Sequence, residues 1–329
     1  MIRAPLGIVG AGAWGTALAN AAAAAGSPVV LWTRDPDHAR AMAETRANPR
    51  HLPDVALADA VRPTSALVEL SGCDALLLVV PAQAVREVTE ALALVLPVHA
   101  PLVICAKGIE RRTGFFLSDV VADLRPGAPV AALSGPSFAH DVAIGLPTAV
   151  TLAAPEPLLA SGLAARLSGR ALRVYHALDL RGVEIGGAGK NVLAIACGAA
   201  IGRGLGESAR AALTARGFAE LMRFARAYGG RAETLMGLSG LGDVVLTCAS
   251  PHSRNFAFGE RLGRGLSVEE AAGGKLVEGA ATAEALVAMA RARGIEMPIA
   301  EAVAGLVAGR TGLGETMDAL LSRPLKAED

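Results

Sequence analysis

Aromatic side chains are scarce, with seven Phe, two Trp and two Tyr in 329 residues. That leaves too few flat faces for the stacking platforms that hold single-stranded nucleic acid. An excess of one charge is also missing. Lys and Arg, 31 together, balance 31 Asp and Glu, so no global field draws the chain to nucleic acid or to an anionic membrane, and any anion site must be local. Cys73, Cys105, Cys197 and Cys248 are the only cysteines and form no CxxC or Cys/His cluster. This argues against a disulfide framework or a zinc site and suits a reducing cytoplasm; the histidines show no metal spacing either. Apolar runs of the ~20 residues needed to cross a membrane are absent. The uncharged stretch between Arg3 and Arg34 is interrupted by Gly10, Gly12, Gly15 and Pro28, so it is read neither as a signal peptide nor as a membrane span.

What remains is a chain that is 52% hydrophobic and carries 38 glycines, a composition of tightly packed globular proteins. Its length exceeds the ~100–200 residues that one core usually serves, so two domains are expected. Short apolar runs at 6–9, 29–32, 75–80, 102–105 and 130–133 alternate with helical patterns at 14–25, 36–45 and 83–96. That rhythm predicts βαβ units and a parallel sheet buried on both faces, with 148–152 and 172–175 as further edge strands. After about Leu178 only helical patterns follow, at 183–203, 207–228, 280–293 and 298–308. The expected fold class is therefore α/β: a doubly wound, mostly parallel sheet over residues 1–178, then an all-helical domain over 179–329. No linker-like run separates them, so a shared interface is expected, with the active-site cleft at the junction.

Gly10-Ala11-Gly12-Ala13-Trp14-Gly15 follows a predicted strand and opens a predicted helix, the context that the GxGxxG dinucleotide fingerprint requires. Gly10 permits the tight turn, Gly12 lets backbone approach the pyrophosphate, and Gly15 allows helix-to-sheet packing, with helix amides binding phosphate. The residue ending the second strand selects between NAD and NADP. No carboxylate stands there, and Arg34 is placed to pair with a 2′-phosphate, which favours NADP(H) and leaves NAD(H) as the alternative. Asp35 is the competing ribose ligand, but before Pro36 it reads as a helix cap.

Several residues can carry chemistry. Lys107 lies at the carboxyl end of a strand, where open α/β sheets bind ligands; a surface lysine is an equal reading. Ser134-Gly135-Pro136-Ser137 also follows a strand, and Pro136 as a first helical residue would free the amides of Ser137 and Phe138. Lys190 sits in Gly186-Gly187-Ala188-Gly189-Lys190-Asn191 within an apolar helical stretch. Glycines cost about 1 kcal/mol each there, so something must approach closely. A desolvated lysine has a lowered pKa suited to proton transfer. A Walker A loop fails, since Glu184 and Asn191 occupy positions that need Gly and Ser or Thr. Ser239 lacks the final glycine of a nucleophile elbow. Asp243 follows a glycine turn and can hold an ammonium. Ser253 can cap a helix while Arg254, Asn255 and the helix amides grip a phosphate.

Together these segments resemble the NAD(P)-dependent glycerol-3-phosphate dehydrogenase family of the bacterial type. The likeness runs through GAGAWGTALA, LWTRDP, HLPDV, VVPAQ, AKGIE, SGPSFA, GLPTA, GGAGKNVLAI, GLGDVVLTC, SRNFAFG, VEGAAT and MPI. It implies interconversion of sn-glycerol 3-phosphate and dihydroxyacetone phosphate in the cytoplasm, supplying phospholipid synthesis. It implies a small phosphorylated substrate, no nucleic-acid partner, no membrane insertion and, as an open option, a homodimer. By resemblance, Trp14, Arg34, Lys107, Ala139, Arg254, Leu276 and Glu278 would meet the cofactor. Lys107, Gly135, Ser137, Lys190, Asp243, Ser253, Arg254 and Asn255 would meet the substrate, with Lys190 as proton acceptor. Ala13 stands where relatives often carry Ser, removing one pyrophosphate contact. A 6-phosphogluconate or β-hydroxy-acid dehydrogenase shares the general plan, but SRN and GLGD argue against it. A non-catalytic NADP sensor would have no need of Lys190, Asp243 and Arg254 together.

Overall fold

The structure is a computed structural model that describes residues 4–312 and 314–315. Residues 316–329, which end the second domain as read from sequence, lie outside the described residues, as do 1–3 and 313. The first half contains β1 (Leu6–Val9), α1 (Ala13–Ala24), β2 (Val29–Trp32), α2 (Pro36–Thr45), β3 (Ala47–Asn48), β4 (Leu52–Ala56) and β5 (Val61–Thr64). It continues with β6 (Ala75–Leu78), α3 (Val85–Ala93), β7 (Leu102–Ile104), α4 (Leu117–Leu124), β8 (Val130–Ser134), α5 (Ala139–Ala143), β9 (Thr148–Ala153), α6 (Pro157–Leu167) and β10 (Leu172–Ala177). From there on the regular elements are helical among the described residues: α7 (Leu180–Gly202), α8 (Gly206–Ala227), α9 (Ala232–Met236), α10 (Asp243–Ala249), α11 (Arg254–Gly263), α12 (Val268–Ala272), α13 (Glu278–Ala292) and α14 (Pro298–Val307).

The sheet order is β10-β9-β8-β7-β6-β1-β2-β5. All neighbours run parallel except β8 and β9. This is a Rossmann-type, doubly wound, mostly parallel sheet with a helical second half. Alternate residues along each strand face opposite sides. Leu6 and Ile8 join one core with Leu18 and Ala22 of α1, whereas Val9 joins another with Val85 and Leu92 of α3. Both faces are therefore buried, and the continuous apolar strands follow from that. Winding reverses between β1 and β6, the switch point where such sheets open a crevice at their carboxyl ends.

Several elements lay outside the sequence reading. The edge strand β5 contains Arg62 and Pro63, a composition tolerated only where one side of the ladder is free. The β3–β4 hairpin is short, and only Leu52 and Val55 of β4 face the core. The expected helix start at Pro136 is corrected. Gly135 turns the chain at φ +153°, and Ser137 Oγ donates back to its carbonyl, 3.1 Å. With the chain still turning, α5 begins only at Ala139, with Phe138 in the N-cap position and no side-chain cap.

Helix α7 is the axis of the second half. Its length and hydropathy would pass for a membrane span, but 83% of that window is buried inside the fold. A Cβ on Gly198 would lie 2.0 Å from the Phe256 carbonyl oxygen, and one on Gly259 would lie 2.1 Å from that of Ile195. Glycine thus lets α7 and α11 touch backbone to backbone. The start of α7 also packs on β8 and β9, which joins the helical half to the sheet at the strand ends where the crevice opens.

Candidate active site

The glycine loop is fixed by close approaches. Gly10 lies at φ +113°, and a Cβ there would sit 2.8 Å from the Val79 carbonyl oxygen. One on Gly15 would sit 1.9 Å from the Gly10 carbonyl oxygen. Gly12, the N-cap of α1, has nothing within 4 Å of where its side chain would be and no side-chain cap. The first-turn amides of α1 thus have no side-chain cap, the condition for binding a phosphate. Trp14 Nε1 is buried without an acceptor. Asn48, which the sequence reading did not single out, pins the loop: its Nδ2 donates to the Ala11 carbonyl at 2.9 Å and to Thr16 Oγ1 at 2.7 Å. Its Oδ1 pairs with His38 Nε2 at 2.9 Å and accepts the amides of Arg50 and His51.

Asp35 caps α2, accepting from the amides of Asp37 and His38 at 3.0 and 3.1 Å. It also pairs with Arg50 at 2.5 Å, and chiefly this guanidinium lowers its pKa. Its carboxylate is committed, while Arg34 beside it is exposed and forms no ion pair among the described residues.

Across the seam, Glu278 begins α13 and accepts the Ala82 amide through Oε1 at 3.2 Å, and its Oε2 is buried without a partner. Burial pushes this carboxyl above the usual carboxylate range, against the Ala82 amide and the Arg254 charge. Ala139 and Trp14 pack against the same cluster of Ala17, Leu52, Val55 and Val142, and Leu276 is exposed. An unsatisfied indole N–H, an unsatisfied carboxylate oxygen, an open helix start and an uncommitted arginine fit a dinucleotide.

Lys190 lies deep in α7. Its Nζ donates to Asp243 Oδ1 at 2.5 Å and to Thr247 Oγ1 at 3.0 Å. Lys107, arriving from the end of β7, donates to Asp243 Oδ2 at 2.7 Å and to the Gly135 carbonyl at 3.1 Å. One fully buried carboxylate thus holds two ammonium groups from opposite halves. Burial lowers the Lys190 pKa to about 8; Asp243 opposes the fall and Lys107 adds to it. The glycines before Lys190 do mark close approach, but by protein: a Cβ on Gly186 would meet the Ser239 carbonyl oxygen at 2.4 Å, on Gly187 Ser134 Oγ at 2.7 Å, and on Gly189 Leu221 at 2.3 Å. The turn before Asp243 is a single π-helical turn, Leu238–Gly242, a form frequent at functional sites.

Ser253 caps α11, accepting the Phe256 amide at 3.3 Å. Arg254, the next residue, is exposed. Asn255 is largely engaged within the protein: Nδ2 donates to Asn191 Oδ1 at 2.9 Å, and Oδ1 accepts the Gly279 amide at 3.0 Å. Asn191 in turn donates to the Lys107 carbonyl at 3.1 Å. Thr247 and Asn191 were missed in sequence; Asn191 adjoins Lys190, and Thr247 lies one helical turn beyond Asp243, spacings that could have flagged both.

A Rossmann-type sheet joined to a lysine-bearing helical half defines a class of NAD(P)-dependent oxidoreductases. The family comparisons narrow it. The family model described as NAD-dependent glycerol-3-phosphate dehydrogenase N-terminus matches residues 5–160, and its C-terminus counterpart matches residues 179–318. A protein of Methylobacterium radiotolerans called glycerol-3-phosphate dehydrogenase [NAD(P)+] is 63% identical over 98% of each chain. One of the same name from Azorhizobium caulinodans is 58% identical over the same shares. The crystal structure of glycerol-3-phosphate dehydrogenase from Coxiella burnetii superposes with a TM-score of 0.94 at 38% identity, covering 98% of this chain and all of that one. The chain belongs to the NAD-dependent glycerol-3-phosphate dehydrogenase family.

Proposed function

We propose that the chain interconverts sn-glycerol 3-phosphate and dihydroxyacetone phosphate with NADP(H), NAD(H) being the second choice. The sheet half, 1–178, would hold the dinucleotide, and the helical half, 179–329, the substrate. The observation that carries this reading is the Lys190–Asp243–Lys107 arrangement at the strand ends, beside an open glycine loop. Family membership and the relatives' names support the reaction; Arg34, with Asp35 committed elsewhere, supports the 2′-phosphate.

Gly10, Gly12, Ala13, Trp14 and Gly15 would carry the pyrophosphate and Arg34 the 2′-phosphate, with Ala139, Leu276 and Glu278 bounding the site. When bound, the nicotinamide gives or takes the hydride at substrate C2. Lys190, protonated below about pH 8, gives its proton to the C2 oxygen during reduction and takes it back during oxidation. Lys107 steadies the charge developing on that oxygen. Asp243 keeps both ammonium groups in place and offsets their repulsion. Gly135 and Ser137 border the substrate, and Ser253, Arg254 and Asn255 receive its phosphate at the start of α11. The product would enter phospholipid synthesis in the cytoplasm.

The test is dihydroxyacetone phosphate-dependent oxidation of NADPH and NADH in parallel. Turnover with both, faster with NADPH, supports the reading. NADPH binding without turnover would favour a dinucleotide sensor and overturn it.

A further inference from the structure

Glu184 is a carboxylate that the mechanism above leaves unused. It lies on α7 six residues before Lys190 and is 8% exposed. It reaches across the seam to α4: Oε1 accepts the Ser118 amide at 2.8 Å, and Oε2 accepts Ser118 Oγ at 2.6 Å. Arg181 donates to Oε2 at 3.3 Å, pairs with Asp119 at 2.8 Å and lies over the Phe116 ring at 3.9 Å. Ser118 is the second residue of α4, and Phe116, the N-cap of α4, offers no side-chain hydrogen bond. The missing cap is supplied by α7. Burial raises the Glu184 pKa to about 7, against the Arg181 charge and the Ser118 hydrogen bonds; when ionised the carboxylate meets both the free amides and the positive end of the dipole.

The seam tied in this way is the one across which the site is assembled. Gly187, one turn beyond Glu184, faces Ser134 Oγ and Lys107 Cγ. Lys107 and Lys190 then meet on Asp243 from opposite halves. A shift of α7 along the strand ends would carry Lys190 away from whatever Lys107 holds. The glycine loop is fixed by Asn48, Thr16 and Val79, and it shares no residue with the tie.

We propose that Glu184 is a positioning residue: by capping α4 from α7 it sets the placement of Lys190 against Lys107 and so governs turnover, not cofactor binding. This rests on the dehydrogenase reading. Small misplacements of a reacting group cost up to about a hundredfold in rate.

The experiment compares Glu184→Ala, Glu184→Gln and Ser118→Ala with the unaltered chain. It measures the NADPH dissociation constant directly, and kcat for dihydroxyacetone phosphate reduction per NADPH-binding site. Glu184→Ala is expected to lower kcat about ten- to a hundredfold at unchanged NADPH affinity. Glu184→Gln keeps an acceptor for the Ser118 amide and should recover most of the turnover. Ser118→Ala, which retains that amide, should fall between them. If Glu184→Ala fails to fold, Ser118→Ala decides. Turnover at the parent level per binding site, or NADPH affinity and kcat falling in proportion, overturns the proposal. An unaltered chain that binds NADPH but leaves dihydroxyacetone phosphate untouched defeats the dehydrogenase reading instead.

Discussion

The glycine loop and the lysine site sit at the same edge of one sheet and are built in opposite ways. Around Gly12 the protein leaves space, and what would bind there is backbone at a helix start. Around Lys190 it fills space, burying one ammonium group and one carboxylate and bringing the partly exposed Lys107 onto the same carboxylate, with protein partners already engaged. In the proposed reading the first arrangement recognises what any dinucleotide carries. In the same reading the second sets a pKa and a direction for one proton, with burial of Lys190 and Asp243 strengthening its electrostatics. A site of general binding can stay open, whereas a site of specific chemistry must be assembled before substrate arrives.

The comparison can be broken most strongly at Lys190. Lys190→Ala is expected to lower kcat about a thousandfold, within the usual contribution of a general acid, while direct titration finds NADPH affinity unchanged. Asp243→Asn comes next. It leaves the buried Lys190 ammonium without a countercharge and facing the partly exposed Lys107, so denaturant unfolding should show a loss of about 3–5 kcal/mol, with turnover reduced as well. The loop glycines separate shape from ligand access. Gly15→Ala drives a Cβ into the Gly10 carbonyl and should cost about 1–3 kcal/mol of stability together with NADPH binding. Gly12→Ala should change stability by no more than about 0.5 kcal/mol yet weaken NADPH binding, since its methyl enters space meant for phosphate. The smallest effect is expected at Arg34. Arg34→Ala should raise the NADPH constant about tenfold, an exposed contact lying at the low end of the roughly 1.5–3 kcal/mol of a charge-assisted hydrogen bond, and leave NADH unaffected; equal loss with both cofactors removes the 2′-phosphate contact.

Legibility in the sequence followed the range of the interaction. The caps at Asp35 and Ser253 use amides two or three residues away, and both were readable from neighbouring residue types. The strand and helix rhythm was readable for the same reason. Lys190 could be singled out because glycines in a helix demand an explanation, although the sequence could not say that Ser239, Ser134 and Leu221 supply it. Asn48 reaches Ala11 over 37 positions, and Lys107 reaches Asp243 over 136. No local pattern encodes such pairs, so the sharing of Asp243 by two lysines emerged only with the fold. Pro136 misled because proline marks turns as readily as helix starts, and Gly135 decided for the turn.

The central claim is that Lys190 is the proton donor, poised by burial against Asp243 and Lys107. Its most direct test is the pH dependence of kcat for dihydroxyacetone phosphate reduction. The pKa is lowered to about 8, so the donor form is present below that value and is lost as pH rises through it. Reduction should therefore be level up to about pH 7 and fall through about pH 8, with the step displaced to lower pH in Asp243→Asn. A rate that stays level through pH 9, or a step near 8 that persists in Lys190→Ala, would contradict the account.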